Sequence, residues 1–209
     1  MVFRQKHFID THKGATAFAV LFLIFYYDAV DNFTAWIYFA LHGTYGMLWI
    51  MKSRLLPDKT WEQPCHILWG LCIAWPCLTL YWVTPYLIVT RGVEVHPAYA
   101  AMCIICFAMG VFFHFSADMQ KYTSLRLAPG KLITGSVWEL SRNPNYFGEL
   151  LIYLGFGMLA MSPWAVAPLF MFMTFYWIPN MFVKDRSLSR YPDFAAWKAR
   201  TALFIPFVF

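Results

Sequence analysis

Charged residues are scarce in this sequence. Of its 209 residues, only 13% are Asp, Glu, Lys or Arg, whereas 60% are hydrophobic. Soluble domains carry about 25% charged residues and about 45–50% apolar ones. One domain of this size cannot bury so much apolar surface. The composition therefore excludes a soluble protein and predicts an all-α integral membrane protein.

The sequence also lacks the glycine-rich loops that hold phosphates in soluble nucleotide-binding enzymes. Neither G-x-G-x-x-G nor a Walker-type loop occurs, which excludes a Rossmann domain and a P-loop. Internal repeats are absent too. Cys103 and Cys106 form C-x-x-C, but inside an apolar run and without a second ligand pair. We therefore expect buried thiols and no metal site.

Six apolar runs divide the chain, at about 14–30, 33–51, 66–90, 97–117, 146–161 and 163–183. A membrane-spanning helix needs about 20 residues, so six of them leave too few residues for a separate soluble catalytic domain. We predict a single polytopic domain over residues 1–209, with about six transmembrane helices and an interfacial C-terminal segment.

The basic residues indicate the orientation of these helices. With six spans, 15 of the 16 Lys and Arg residues fall on one side, and only Arg91 falls on the other. Cytoplasmic loops collect Lys and Arg, so both termini are predicted to be cytoplasmic, in a bacterial inner membrane or the endoplasmic reticulum. The net charge of +5 is then a matter of orientation and does not indicate nucleic-acid binding. No cleavable signal is expected, because residues 1–13 are polar.

Two polar segments on this side could carry chemistry, and the first is the end of the fourth helix. At about 100° per residue, His114, Asp118, Lys121 and Tyr122 share one face. An acid, a base and ring donors therefore lie together. The alternative is a solvated helix end with an Asp–Lys pair.

The second segment is the sequence RNPNYFGE, at residues 142–149. Asn143 suits an N-cap and Pro144 the first helical position, which predicts that the fifth helix begins here. Its N-terminus beside Arg142 would suit a phosphate or carboxylate. Asn145 and Glu149 point the same way, and Glu149 lies about 7 Å along the helix. An intramembrane carboxylate is a functional candidate, although a salt bridge could equally explain it.

Together these segments supply enough positive charge for a ligand with several phosphates, through Lys121, Arg126, Lys131 and Arg142. The tail adds Arg186, Asp193 and Arg200. Amide and carboxylate groups nearby could bind a ribose or a carboxamide. A dinucleotide held by the loops and the bundle fits this set of residues.

These motifs resemble the steroid 5α-reductase C-terminal domain family. RNPNYFGE resembles the family segment R-H-P-N-Y-x-G-E, and the series Asp118, Lys121, Arg126 resembles the upstream NADPH-contacting segment. The ending at residues 200–209 resembles the family's Ile-Pro-Phe-rich terminus. The similarity covers about residues 42–209 and is most specific in the last 95 or so.

The resemblance implies a membrane-embedded reductase that uses NADPH to transfer hydride to a C=C bond of a lipid-soluble substrate, in lipid metabolism. The substrate would enter from the membrane lipids, and the cofactor from the cytoplasm into residues about 114–209. By carry-over, the nucleotide would be bound by Asp118, Lys121, Arg126, Arg142, Asn145, Asp193 and Arg200. Asn145 and the catalytic candidate Glu149 would lie near the nicotinamide.

The sequence departs from the family at several points. The family histidine is Asn143 here, and no Asp or Glu occurs between Asp31 and Asp58, where the family has a catalytic glutamate. The motifs therefore predict the family and leave the substrate open. Reduction of an activated C=C bond needs a hydrogen-bond donor for the developing enolate. For this donor we choose Tyr45, which lies between glycines that permit close approach of a ligand or a helix. His42, Tyr153 and Tyr176 are the alternative donors.

Two other functions fit parts of the pattern. Membrane methyltransferases of the isoprenylcysteine or phospholipid type carry a similar Arg-His-Pro-x-Tyr segment and use S-adenosylmethionine. A non-enzymatic lipid-binding or transporter-like bundle could use Glu149 as an ion or proton site. The oligomeric state cannot be read, because lipid-facing and partner-facing surfaces have the same composition.

Overall fold

The structure, a computed structural model, describes residues 2–208, and most of these residues lie in helices. In chain order they are α1 (Gln5–Tyr26), α2 (Phe33–Leu55), α3 (Ile67–Arg91), α4 (Pro97–Leu127), α5 (Pro144–Gly157), α6 (Pro163–Leu188) and α7 (Phe194–Arg200). Between residues 2 and 208 there is no β-strand, and two isolated β-bridges occur. The predicted all-α membrane fold is confirmed.

The number of spans differs from the prediction of about six. Within residues 2–208, four helices are long and apolar enough to cross a membrane, namely α1, α3, α4 and α6. Helix α2 has 23 residues, but tyrosines, glycines and His42 dilute its apolar residues. Helix α5 has only 14 residues before a 3-10 turn at Met158–Ala160. The apolar runs at 33–51 and 146–161 therefore form helices that are too short or not apolar enough to count as membrane spans.

The chain divides into two compact units. Unit 1 comprises Met1–Ile105 and Leu154–Pro168, and unit 2 comprises Cys106–Tyr153 and Leu169–Phe209. All residues predicted to bind the nucleotide belong to unit 2, as does Glu149, whereas Tyr45 belongs to unit 1. A single polytopic domain over residues 1–209 stays a prediction.

In unit 1, α1 and α2 pack closely through small residues. A Cβ atom added to Gly46 would lie 2.4 Å from the carbonyl oxygen of Lys13, so only glycine fits there. A Cβ atom on Gly43 would meet Ala17 at an ordinary 3.5 Å. Helix α1 begins at Gln5, before the predicted apolar run, and its polar residues His12 and Lys13 are buried.

Three irregular turns in the long helices precede prolines. They are the π-turn at Gly70–Ala74 before Pro76, the 3-10 turn at Leu80–Trp82 before Pro85, and the π-turn at Met173–Trp177 before Pro179. Proline lacks an N–H group and its ring clashes with the preceding turn. The helices continue through these positions, since membrane helices tolerate prolines whose freed backbone groups find other partners.

In unit 2, an aromatic cluster anchors the C-terminal segment. Phe194 and Trp197 of α7 are buried against Ala117, Val137 and Trp138. The indole N–H of Trp197 donates to the carbonyl oxygen of Trp138 at 3.0 Å. Helix α7 has seven residues, too few to span a membrane.

Candidate functional site

The site in unit 2 is built where α4 and α5 touch backbone to backbone. A Cβ atom added to Gly148 would lie 2.3 Å from the backbone nitrogen of His114, and one added to Gly110 would lie 2.6 Å from that of Ile152. Two glycines therefore allow this contact. As a result, the start of α5, which begins at Pro144 as predicted, lies against the middle of α4.

His114 joins the two predicted polar segments. Its ring is almost fully buried, and its Nδ1–H donates to the carbonyl oxygen of Asn145 at 3.0 Å. The other nitrogen, Nε2, lies 3.7 Å from a carboxylate oxygen of Asp118. Because Nδ1 carries the proton of the neutral ring, a proton taken up at Nε2 would lie beside this carboxylate. Sequence reasoning placed His114 and Asp118 together but did not connect His114 to Asn145.

Asn145 presents an unused hydrogen-bond acceptor. Its side-chain Oδ1 is buried and has no hydrogen-bond partner. A buried carbonyl oxygen without a partner costs about 1–3 kcal/mol, so this oxygen is suited to a ligand N–H donor. Glu149 lies one turn further along α5 and is half-buried.

Arg142 is committed to the fold. Its guanidinium is buried, its Nε lies 3.1 Å from both oxygens of Asp185, and its Nη1 donates to the carbonyl oxygens of Thr201 and Lys198 at 2.5 and 3.3 Å. These contacts hold the C-terminal tail. Phosphate binding by Arg142 stays a prediction, and the contacts seen here are structural.

The neighbours of Arg142 bind the tail as well. Ser141 Oγ donates to the carbonyl oxygen of Phe204 at 2.8 Å, and Asn143 Nδ2 donates to that of Leu203 at 2.8 Å. Asn143, predicted as an N-cap, thus directs its amide to the tail. We call Ser141, Arg142 and Asn143, with Asp185 and Thr201, the C-terminal knot.

Lys184 is the residue that sequence reasoning did not assign to the site. Its ammonium donates to the carbonyl oxygen of Arg142 at 2.8 Å and to Asn143 Oδ1 at 3.0 Å. It also lies 4.5 Å from the centre of the Trp138 ring. Its charge interacts with those of Lys121 and Asp118, besides Asp185 and Arg142. The signal that could have found it is an ionisable residue at the end of an apolar run.

The remaining predicted ligands lie at the surface of unit 2. Lys121 is half-buried, and Arg126 is exposed with its guanidinium 4.9 Å from the Tyr122 ring centre. Asp193 and Arg200, at the two ends of α7, are exposed. We call Arg126, Asp193 and Arg200 the rim. Among the contacts described for residues 2–208, none joins a residue of the rim to His114 or Asn145.

Tyr45 is fully buried in unit 1. The ammonium of Lys13, itself 4% exposed, lies 4.3 Å from the centre of the Tyr45 ring and 5.1 Å from that of Trp49. The nearby His42 pairs through Nδ1 with the hydroxyl of Tyr38 at 2.6 Å. A lysine beside Tyr45 was not expected, and the catalytic role of Tyr45 stays a prediction.

Comparison with known proteins assigns the family. No curated protein matches the chain. A family profile described as "Protein of unknown function (DUF1295)" matches residues 1–201, which is nearly the whole sequence. The chain therefore belongs to the DUF1295 family.

Proposed function

We propose that this protein is a membrane-embedded, NADPH-dependent reductase that transfers hydride to a C=C bond of a lipid-soluble substrate. The observation that carries the proposal is the unpartnered Oδ1 of Asn145, buried at the start of α5. The resemblance of residues 142–149 to the reductase segment implies that the nicotinamide would lie near Asn145. A carboxamide supplies the N–H donor that this oxygen lacks.

The other residues of unit 2 suit the charged part of the cofactor. Lys184 and Lys121 interact electrostatically with each other, so an anion near both would offset the repulsion between their charged forms. Arg126 adds an exposed guanidinium, a group that binds phosphate through paired N–H donors. NADPH, when bound, would supply a hydride.

The proton chemistry would rest on the protein's own residues. His114 can hold a proton at Nε2 beside Asp118. Glu149 and Tyr45 remain the catalytic candidates of the sequence, as acid–base group and hydrogen-bond donor respectively. Their assignment rests on residue type and motif position.

A binding experiment tests the proposal. The protein, purified in mild detergent, is titrated with NADPH, NADH and S-adenosylmethionine, and tryptophan fluorescence and calorimetry report binding. We expect NADPH to bind, and Asn145→Ala to weaken its binding about tenfold because one hydrogen bond is lost.

Gln63→Ala is the matched control, since this exposed amide lies in unit 1. It should leave the affinity unchanged. Binding of S-adenosylmethionine alone would replace the reductase by the methyltransferase. Binding of none of the three would favour the non-enzymatic bundle. Equal NADPH affinity in the Asn145 and Gln63 variants would remove Asn145 from the site.

A further inference from the structure

The imidazole ring of His114 lies in unit 2 between two groups that accept hydrogen bonds. The residue is only 2% exposed. Its Nδ1–H donates to the backbone carbonyl oxygen of Asn145 at 3.0 Å, because a carbonyl oxygen can only accept. Its Nε2 lies 3.7 Å from a carboxylate oxygen of Asp118. One buried ring therefore connects a carboxylate to the backbone of Asn145.

A neutral ring has one proton for these two acceptors. With that proton on Nδ1, the lone pair of Nε2 faces the carboxylate of Asp118, and two acceptors that face each other repel. A second proton, on Nε2, converts this contact into an imidazolium–carboxylate ion pair. The same charge strengthens the hydrogen bond from Nδ1 to the carbonyl oxygen of Asn145. Since His114 is buried, both effects are larger than they would be in water.

The other ionisable side chains on the helices of this site act in both directions. Lys121 lies on α4 and Lys184 on α6, and the charge of Lys184 interacts with those of Lys121 and Asp118. The two ammonium groups oppose a positive charge on His114, whereas the carboxylate of Glu149 on α5 favours it. Asp118 forms the ion-pair contact with the ring itself. Its carboxylate therefore has the most direct effect on the second proton.

We propose that His114 and Asp118 hold one exchangeable proton between them, and that this proton positions Asn145 for its ligand. His114 is a positioning residue, because it acts through the carbonyl group of Asn145. The charge-assisted bond holds the first turn of α5, which carries the unpartnered side-chain oxygen of Asn145. A ligand that donates to this oxygen then binds best while the proton is present, and its affinity falls as the pH rises and the proton leaves.

NMR of the unliganded protein in detergent tests the shared proton, which does not depend on the proposed function. The ring signals of ¹⁵N-labelled histidines distinguish imidazolium from the two neutral tautomers, and the signal missing in His114→Gln identifies His114. We expect both ring nitrogens of His114 to be protonated at about pH 7. Asp118→Asn should give a neutral ring with its proton on Nδ1, because the new amide can donate to Nε2.

A second NMR measurement tests the connection to Asn145. Asn145 is the only asparagine in the sequence that is followed by tyrosine. Protein labelled with ¹³C at asparagine carbonyls and ¹⁵N in tyrosine therefore gives one correlated signal, from the carbonyl group that His114 contacts. We expect this signal to move with pH together with the charge of His114. In His114→Gln it should not move, because the glutamine amide can donate to the carbonyl but cannot gain a proton.

The affinity for NADPH over the same pH range tests the effect on the ligand, and this step rests on the proposed function. We expect the Kd to rise about tenfold as the proton leaves, which corresponds to one weakened hydrogen bond. His114→Gln should bind NADPH without this dependence. The adenosine bisphosphate half of NADPH, which lacks the nicotinamide, controls for titration of phosphates and lysines. His66→Gln, at an exposed histidine of unit 1, should behave like the parent protein.

The possible outcomes separate this proposal from the reductase. A neutral His114 ring in the parent protein at about pH 7, or a charged one in Asp118→Asn, would overturn the shared proton. An Asn145 signal that moves equally in the parent and in His114→Gln would overturn the positioning role. A charged His114 coupled to Asn145, without NADPH binding, would retain the pair and remove the reductase. Should His114→Gln fail to fold, the signal that changes in Asp118→Asn identifies His114 and still decides.

Discussion

Arg142 and Arg126 are both arginines of unit 2, yet their guanidinium groups have opposite surroundings. Arg142 is 6% exposed and is bound by Asp185 and two tail carbonyls, whereas Arg126 is exposed and packs on Tyr122. The motif resemblance gives both the same role in binding phosphate. Residues that one ligand motif groups together therefore divide into those that hold the tail and those that remain accessible at the rim.

The largest effect is expected from Arg142→Met. Removing one member of a buried ion pair costs about 3–5 kcal/mol, and we expect the lower end of this range because the ammonium of Lys198 still lies 3.8 Å from the Asp185 carboxylate. The free energy of unfolding should fall by this amount in denaturant titrations followed by tryptophan fluorescence. This variant should lose NADPH binding only at denaturant concentrations at which the C-terminal tail has unfolded.

The double variant Arg142→Met with Asp185→Leu is the control. It removes both charges, so part of the stability should return. If Arg142→Met were as stable as the parent protein but bound NADPH more weakly, the knot would not be structural, and Arg142 would belong with the rim.

The second effect concerns the contact that aligns Asn145 with His114. Gly148→Ala places a methyl group where a Cβ would lie 2.3 Å from backbone, so α4 and α5 must separate. We expect a loss of about 1–3 kcal/mol in unfolding free energy. Gly43→Ala is the control, because its Cβ would meet Ala17 at 3.5 Å, an ordinary contact. Equal stability of the two variants would contradict the close crossing.

The local parts of this architecture were predictable from sequence. The start of α5 at Pro144 was predicted, although the side chain of Asn143 binds Leu203 and Lys184. The shared face of Asp118 and Lys121 follows from helical periodicity. Local pattern also indicated that glycines near Tyr45 allow close approach; the structure shows that the partner is a helix, α1, at Lys13.

The division between knot and rim was not predictable. An arginine beside a helix N-terminus can bind a phosphate or hold a distant segment, and both uses have the same local sequence. The choice depends on Asp185 and Thr201, which lie more than 40 residues away. Lys184 was missed for the same reason, since its partners Arg142 and Asn143 are distant in the chain.

The third effect tests the rim. If Arg126 contacts a phosphate, Arg126→Ala should raise the Kd for NADPH about tenfold, with little change in stability. Arg190→Ala is a matched control, since Arg190 is also exposed and its guanidinium lies 4.9 Å from the neighbouring Tyr191 ring. The affinity of the Arg126 variant should also depend less on salt. Equal Kd values in both variants would remove Arg126 from the cofactor site.

The smallest effect is expected at a partly exposed ion pair, which contrasts with the buried ion pair of the knot. Arg4 and Lys6 at the start of unit 1 both donate to the carboxylate of Glu62. These hydrogen bonds, first that of Lys6 and then that of Arg4, lower the pKa of Glu62. A lowered folded pKa adds stability above the ordinary value near 4.5, and this is lost as the pH falls through the folded pKa.

Glu62→Gln should therefore lower the unfolding free energy at about pH 7 by about 0.5 kcal/mol or less, since exposed ion pairs contribute little. The difference from the parent protein should shrink as the pH falls from about 4.5 through the lowered folded pKa of Glu62, because the parent side chain then becomes neutral as well. Glu139→Gln, at an exposed carboxylate of unit 2, controls for general charge effects. A difference that does not shrink as the pH is lowered would show that Glu62 acts through packing. A loss as large as that of Arg142→Met would erase the distinction between buried and exposed pairs.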